Sequence, residues 1–438
     1  MSEEVAAGVA RSRRILTGIA GGLLGRAVSL AAPFIVMPVL LKYLGHADFG
    51  IWMTVLSITS MTMFVDMGIG NGLLTKLSSA YGTGDHQEMR GLISSAYASL
   101  VAIALLLFLV LFVVLAAMKS GFFASHALGD SVGAPIVAVC LAAFIAGIPA
   151  SIIQKVFYSH QMVWLGNVWQ IIAAAVSVVA CLGAVKLGWG EWQAIAAYSA
   201  PPVILMLVAA AVFFRQRPEI APSISSIDLA KIRMLLRIGS RFLVLGIVTS
   251  VALNADNLII AQKLGAAAVT EYAVPAKLAS LLGLMVTTMF LPLWPANGEA
   301  IARGDYAWVR ASTIRMSRLG GLAVAIAGVC IVLLGKPIML LWMGKTFSDQ
   351  QAVLAFLCVM FCFMAFASPF QMLLNSTSRL KAQIYPWAAF MVVTITAKFL
   401  LLDPDRLWLV PMISCIGFGG IVLPSMYFAC QAMLNEKQ

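Results

Sequence analysis

The chain has 438 residues, of which 61% are apolar and only 11% charged, with a formal net charge of +11 and a mean hydropathy of +0.96. An ordinary soluble domain carries about 25% charged residues, so most of this surface is solvated by hydrocarbon rather than water. The gaps between apolar runs are too short to fold a catalytic domain outside the bilayer, and the basic residues are dispersed instead of gathered into a patch, which excludes a soluble enzyme and a nucleic-acid partner.

Apolar runs recur at 15–41, 51–75, 92–118, 132–153, 164–186 and 194–214, then at 240–262, 270–296, 313–335, 351–374, 383–402 and 407–432. Each is long enough for a membrane-crossing helix of about 20 residues, and none shows the period-two alternation of a barrel strand. The first run follows Arg11, Arg13 and Arg14, but it is about twice a signal-peptide core in length and leads into another span, so it is expected to be retained. With twelve spans both termini share a side. Placing them in the cytoplasm puts nineteen Lys and Arg inside, among them Arg215, Arg217, Arg233, Arg237, Arg310, Arg315 and Arg318, against seven outside. The positive-inside bias therefore favours cytoplasmic termini.

The longest connection lies between the sixth and seventh runs. It opens with Pro218 and Pro222, and Ser225 with Asp228 three residues on forms a capping-box pattern. An amphipathic stretch follows, in which Leu229, Ile232, Leu235 and Leu236 alternate with Lys231, Arg233 and Arg237. It suits a helix on an anionic leaflet and equally a plain linker. The expected domains are a bundle over 1–214, a cytoplasmic linker with an amphipathic helix over 215–239, and a second bundle over 240–438.

The two halves match at a single offset of 220 residues: Leu44 with Leu264, Gly45 with Gly265, Ala47 with Ala267, Gly84 and Asp85 with Gly304 and Asp305, Arg90 with Arg310, Pro149 with Pro369. Six spans per half preserve orientation, so the repeat is parallel, with its axis along the membrane normal. The fold expected is an all-α integral membrane protein, about twelve transmembrane helices in two six-helix bundles related by this repeat. Such bundles enclose a central cavity, which is transporter architecture.

A charge inside hydrocarbon is either paired or wetted, so each intramembrane charge is a site candidate. Arg26 lies twelve residues beyond Arg14 and thus near mid-membrane; it contacts substrate or pairs with Asp66 or Asp256. Asp66 precedes Gly68, Ile69, Gly70, Asn71 and Gly72, where the helix can break or be closely approached; the acid is an ion carrier or a packing element. Asp256 sits between Asn254 and Asn257, three polar side chains that line a cavity or face a neighbouring helix. Lys277 and Lys398 contact substrate or snorkel to the outer surface. Asp66 and Asp256 are the candidate ion-coupling acids, and three cations against two acids favour an anionic cargo.

No phosphate-binding loop, metal-ligand spacing or nucleophile motif is present, so no cofactor or metal is expected. The seven cysteines lie in apolar runs and read as packing residues, and Trp52, Trp189, Trp192, Trp294, Trp342 and Trp408 read mostly as an interfacial belt.

The segment from Lys42 to Trp52 (Lys-Tyr-Leu-Gly-His-Ala-Asp-Phe-Gly-Ile-Trp), followed by Asp66-Met-Gly-Ile-Gly70, resembles the first two spans of Wzx-type polysaccharide flippases. Asp256-Asn-Leu-Ile-Ile260, Leu264-Gly265 and Tyr272 through Leu278 are similar to the opening of their second half. These belong to the multidrug/oligosaccharidyl-lipid/polysaccharide exporter superfamily. The resemblance implies that an undecaprenyl-diphosphate-linked oligosaccharide is flipped across a bacterial inner membrane by alternating access, with cavity cations at Arg26 and Lys277 engaging the diphosphate. It further implies lipid-linked oligosaccharide and membrane lipids as partners, contact with polysaccharide polymerase machinery, and action as a monomer. Two other readings stay open: a cation-coupled multidrug antiporter of the same superfamily, with acidic cavity residues, and an integral-membrane glycosyltransferase or polymerase.

Overall fold

The computed structural model describes residues 35–37, 39–45, 48–49, 51–52, 55–56, 68–119, 133–264, 266–343, 350–403 and 406–436. Among them ten stretches are long and apolar enough to cross a membrane, from His86–Val113 to Leu409–Asn435. The short apolar helix α1 (Ile35–Gly45) and helix α2 (Ile69–Thr83) mark the first two of the expected twelve positions. All-α, multi-pass architecture is thus the fold, as the run pattern predicts.

The chain divides into two compact units, Ser12–Ser240 and Arg241 onward. The first contains α1, α2, α3 (His86–Lys119), α4 (Gly133–Ala150), α5 (Ile152–Ser159), α6 (Val163–Lys186), α7 (Glu191–Gln216) and the opening of α8 (Leu229–Leu264). The second contains the rest of α8, α9 (Ala266–Phe290), α10 (Leu293–Ala302), α11 (Tyr306–Met343), α12 (Gln350–Ser376), α13 (Lys381–Leu401), α14 (Leu409–Gly417) and α15 (Leu423–Asn435). A π-helical turn, Phe418–Val422, joins the last two.

The repeat read from the sequence is a repeat of geometry. Gly84 and Gly304 both adopt left-handed backbone, at φ +72° and +77°, a conformation that costs any other residue about 1–2 kcal/mol. Each closes a helix in the same way: the Asp85 N–H donates to the Ala80 carbonyl at 3.1 Å, and the Asp305 N–H to the Ala300 carbonyl at 2.9 Å. Each aspartate then caps the next helix, accepting from Glu88 N–H at 2.8 Å and from Trp308 N–H at 3.1 Å. A second duplicated turn leaves no trace in residue identity. Gln161 and Ser378, at φ +59° and +57°, close their helices with N–H groups bonded to Tyr158 and Asn375 carbonyls, at an offset of 217 rather than 220. Helix α2 opens at Gly68, itself at φ +70°, and in the second unit α10 opens at Pro292, just after α9 ends.

In the first unit, small residues on α2 and α3 receive the long connection. The Ser223 N–H donates to Ser94 Oγ at 2.9 Å, and the Asp228 N–H donates to Ser95 Oγ at 3.1 Å. Lys231 forms an ion pair with Glu88 and lies across Gly91, where a Cβ would stand 2.7 Å from its Nζ. A Cβ on Gly72 would meet the Leu235 carbonyl oxygen at 3.3 Å, so glycine sets this helix spacing. The amphipathic stretch therefore does not stand alone on a leaflet; it is the first three turns of α8. Its N-cap is Asp228, whose Oδ1 accepts the Ala230 N–H at 2.8 Å, while Ser225 bonds to Ser223 instead.

Six cysteines are buried or half-buried, and Cys330 is exposed, so packing accounts for all but that one. Trp189 and Trp192 are about half exposed, as a belt requires, but Trp52 and Trp294 are buried; Trp294 stacks on Phe242 at 5.2 Å. In the second unit the core centres on Trp387, Phe390 and Phe418 in edge-to-face contact.

His160, between α5 and α6, is buried, with Nδ1 2.8 Å from the Val156 carbonyl oxygen and its ring 4.7 Å from Tyr81. Burial, aided by the nearby Arg217 charge, pushes its pKa from 6.5 down to about 4. The unfolded chain then binds this proton near pH 6.5 and the folded chain only near pH 4. Stability is accordingly unaffected above pH 6.5 and declines by about 3 kcal/mol as pH falls from 6.5 to 4. Thermal unfolding followed across this range should show the decline in wild type and a flatter profile in His160→Gln; equal profiles would assign the acid sensitivity elsewhere.

Candidate functional site

The polar triplet of α8 splits between two directions. Asp256 turns into the second unit, 7% exposed, while Asn254 and Asn257 are exposed. Asp256 Oδ1 lies 2.5 Å from Lys398 Nζ of α13, and Oδ2 accepts the Tyr272 hydroxyl of α9 at 2.6 Å. Lys398 has no exposed surface at all, and Tyr272 is buried. Three helices are thus tied by one carboxylate whose two oxygens are both satisfied, the arrangement a buried ion pair needs to offset its desolvation. Lys398 neither snorkels nor faces open space. Its position near the end of α13 suggested snorkelling because sequence shows depth but not direction.

Lys277 has the opposite surroundings. It is exposed, and its ammonium has no ion pair or hydrogen bond among the described residues. It lies eleven residues into α9, about 17 Å along the axis, close to the middle of a hydrocarbon layer about 30 Å thick. Asn254, ten residues from the end of α8, reaches about the same depth. Its Nδ2 donates to the Ser250 carbonyl at 2.8 Å. Ser280 and Thr287 share the exposed side of α9 with Lys277, and their hydroxyls donate to the Lys277 and Leu284 carbonyls. The reverse side, Leu278, Ala279, Leu282, Val286 and Phe290, is core.

An exposed cation with amides and hydroxyls on a helix this apolar is costly to leave facing lipid. The contrast within the unit is direct: on α11 the exposed residues at equivalent depth are Leu322, Ile326, Val329 and Leu333, each more than half exposed. The exposed side of α9 is mixed: Lys277, Ser280 and Thr287 share it with Leu281, which is half exposed. Arg26 and Asp66 lie outside the described residues. Lys155, which the sequence reading did not weigh as a site residue, donates to Asn71 Oδ1 at 2.9 Å, within the glycine-rich segment that follows Asp66. No group of three metal-ligating side chains occurs among the described residues.

Comparisons with known proteins bear on the family and the fold. A family model described as polysaccharide biosynthesis protein matches residues 15–298, well over half of the chain. A Salmonella typhi protein named for O-antigen transport is 22% identical over 85% of this chain and 85% of its own. A Yersinia pseudotuberculosis protein named for O-antigen export is 22% identical over 64% of each. Among solved structures, a Vibrio cholerae MATE transporter superposes with a TM-score of 0.81 at 13% identity, covering 98% of both chains. A MOP superfamily transporter from Pyrococcus furiosus gives 0.75 at 12%, covering 98% of this chain and 96% of that one. At such identities the likeness establishes the fold.

The Asp256–Lys398 contact can be separated from its surroundings by a mutant cycle. Asp256→Ala or Lys398→Ala alone should cost about 3–5 kcal/mol, because each strands a buried charge. Asp256→Leu combined with Lys398→Met should recover most of that loss in thermal unfolding. Additive losses would show that the two residues do not act as a pair.

Proposed function

Since the chain belongs to the polysaccharide biosynthesis protein family, we propose that it is a flippase, carrying an undecaprenyl-diphosphate-linked oligosaccharide from the cytoplasmic to the outer leaflet of a bacterial inner membrane by alternating access. The observation that carries this reading is Lys277, an exposed cation at mid-membrane depth with no counter-charge beside it. Such a group is stabilised by an anion that comes and goes, and a diphosphate supplies one. Amide and hydroxyl groups at Asn254, Asn257, Ser280 and Thr287 offer the neutral hydrogen bonds that sugars require. A cationic wall is the wrong polarity for organic cations, which speaks against the multidrug antiporter. The names of the Salmonella and Yersinia relatives support a glycan cargo.

In this reading the end of each unit that bears the long connection and most of the Lys and Arg faces the cytoplasm, with both termini there. Arg26, which lies outside the described residues, is the second cation that the sequence resemblance assigns to the diphosphate. Outward movement of an anion follows an outside-positive potential, worth about 2.3 kcal/mol per charge per 100 mV.

Lys277→Ala should lower export of the glycan more than tenfold at normal protein levels, with the lipid-linked intermediate accumulating in the cytoplasmic leaflet. Lys277→Arg should retain partial export. Export by the alanine variant at the wild-type rate would remove Lys277 from substrate binding and withdraw the observation on which the reading stands.

Ion coupling is assigned to Asp66, beside its glycine-rich segment, or to Asp256. Protonation of Asp256 removes the counter-charge of Lys398, so one proton alters a contact shared by α8, α9 and α13. In proteoliposomes at zero membrane potential, an imposed pH gradient should accelerate flipping by wild type and not by Asp256→Asn. An Asp256→Asn response equal to wild type would make the carboxylate purely structural.

A further inference from the structure

The internal repeat places a covered surface in one half opposite an uncovered one in the other. In the first unit Gly91, Ser94 and Ser95 of α3 are buried, because the connection lies over them through Ser223, Asp228 and Lys231. At the offset of 220, Gly91 and Ser95 correspond to Ala311 and Arg315 of α11, both exposed. Arg310 and Arg318 are exposed beside them, and none of the three guanidiniums has an ion pair or hydrogen bond among the described residues. The nearest acids in sequence are engaged: Asp305 caps α11 and Glu299 pairs with Arg303 at 3.1 Å.

Directly above the cations the same helix side turns aliphatic. Arg315 and Arg318 continue at helical spacing into Leu322, Ile326, Val329 and Leu333, with Leu319 alongside, and all five apolar residues are more than half exposed. Lys336, also exposed, ends this stretch eighteen residues beyond Arg318, about 27 Å at 1.5 Å per residue. That length matches the hydrocarbon thickness, so the stretch runs along acyl chains and the three arginines stand at headgroup depth.

We propose that Arg310, Arg315 and Arg318 form a binding site for the headgroup of an anionic phospholipid, whose acyl chains lie on the Leu319–Leu333 side of α11. Guanidinium groups at two successive turns grip a phosphodiester through paired N–H donors, which a zwitterionic headgroup with its own ammonium satisfies less well. The lipid thereby takes the place on the second unit that the connection takes on the first. The site lies on a different helix from Lys277 and is independent of what is transported.

The test uses the full chain in nanodiscs of phosphatidylcholine with a minor fraction of phosphatidylglycerol, with retained lipid counted by native mass spectrometry after mild extraction. Wild type should retain phosphatidylglycerol about tenfold above its share of the bilayer. Arg310→Gln/Arg315→Gln/Arg318→Gln should lose at least two thirds of that enrichment, whereas the corresponding triple lysine variant should keep part of it. Arg233→Gln/Arg237→Gln, which removes exposed cations from α8, should leave it unchanged. Three results would overturn the proposal: no enrichment in wild type, enrichment that survives the triple glutamine change, or equal loss in the α8 variant, which would mean general surface charge. Circular dichroism and elution profile confirm folding of each variant, and these exposed positions bury nothing that their replacement would expose.

Discussion

A charge inside hydrocarbon must find either an opposite charge or water, and this requirement organises the second half of the molecule. Lys398 and Lys277 are chemically identical and sit in spans of the same unit, yet one has no exposed surface and touches Asp256, while the other is open and has no ion pair among the described residues. The helix surfaces follow from that difference. Asp256, Tyr272 and Lys398 point to a shared interior and fix α8, α9 and α13 against one another. Asn254, Asn257, Lys277 and Ser280 lie on exposed sides of α8 and α9. A lipid side is expected by the reverse rule, as on α11, where the exposed residues between Arg318 and Lys336 are all aliphatic except Cys330.

The same scarcity of polar groups explains how the first unit holds the connecting segment. Two serine hydroxyls, one ion pair and two glycines suffice, because each hydrogen bond near the membrane surface competes with less water than on a soluble protein. The glycines matter as much as the donors. Gly72 admits the Leu235 backbone and Gly91 admits the stem of Lys231, so the amphipathic stretch is drawn against α2 and α3 instead of lying free.

Composition and periodicity carried the fold, since a run of twenty apolar residues has few ways to satisfy its backbone except as a helix in a bilayer. The repeat was legible wherever residue identity is dictated by backbone geometry, as at Gly84, Gly304, Asp85 and Asp305. It was illegible at Gln161 and Ser378, where the turn is the same but the residues and the spacing differ. The site was half legible. Sequence isolates Asp256, Lys277 and Lys398 as unusual, but only depth follows from counting residues; direction around the helix depends on which neighbours pack there. That is why Lys398 reads like a surface lysine and is the most enclosed cation described. Trp52 and Trp294 were misread for the same reason, since a position at a span end is compatible with a belt and with a core.

The change of offset from 220 to 217 has a history written in it. Three residues amount to about 300° around a helix, so after a tandem gene duplication an insertion or deletion of that size would have turned every later side chain by some 60° toward the wrong neighbours. The change falls between Pro149 and Gln161 in one copy and between Pro369 and Ser378 in the other. In the first copy the regular helix pauses for one residue there, Ser151, between α4 ending at Ala150 and α5 beginning at Ile152; in the second, α12 runs through without such a pause. A helix with a joint can absorb a length mutation that a continuous one transmits along its whole length, and that joint is where the two copies were free to diverge in length while keeping a common turn beyond it.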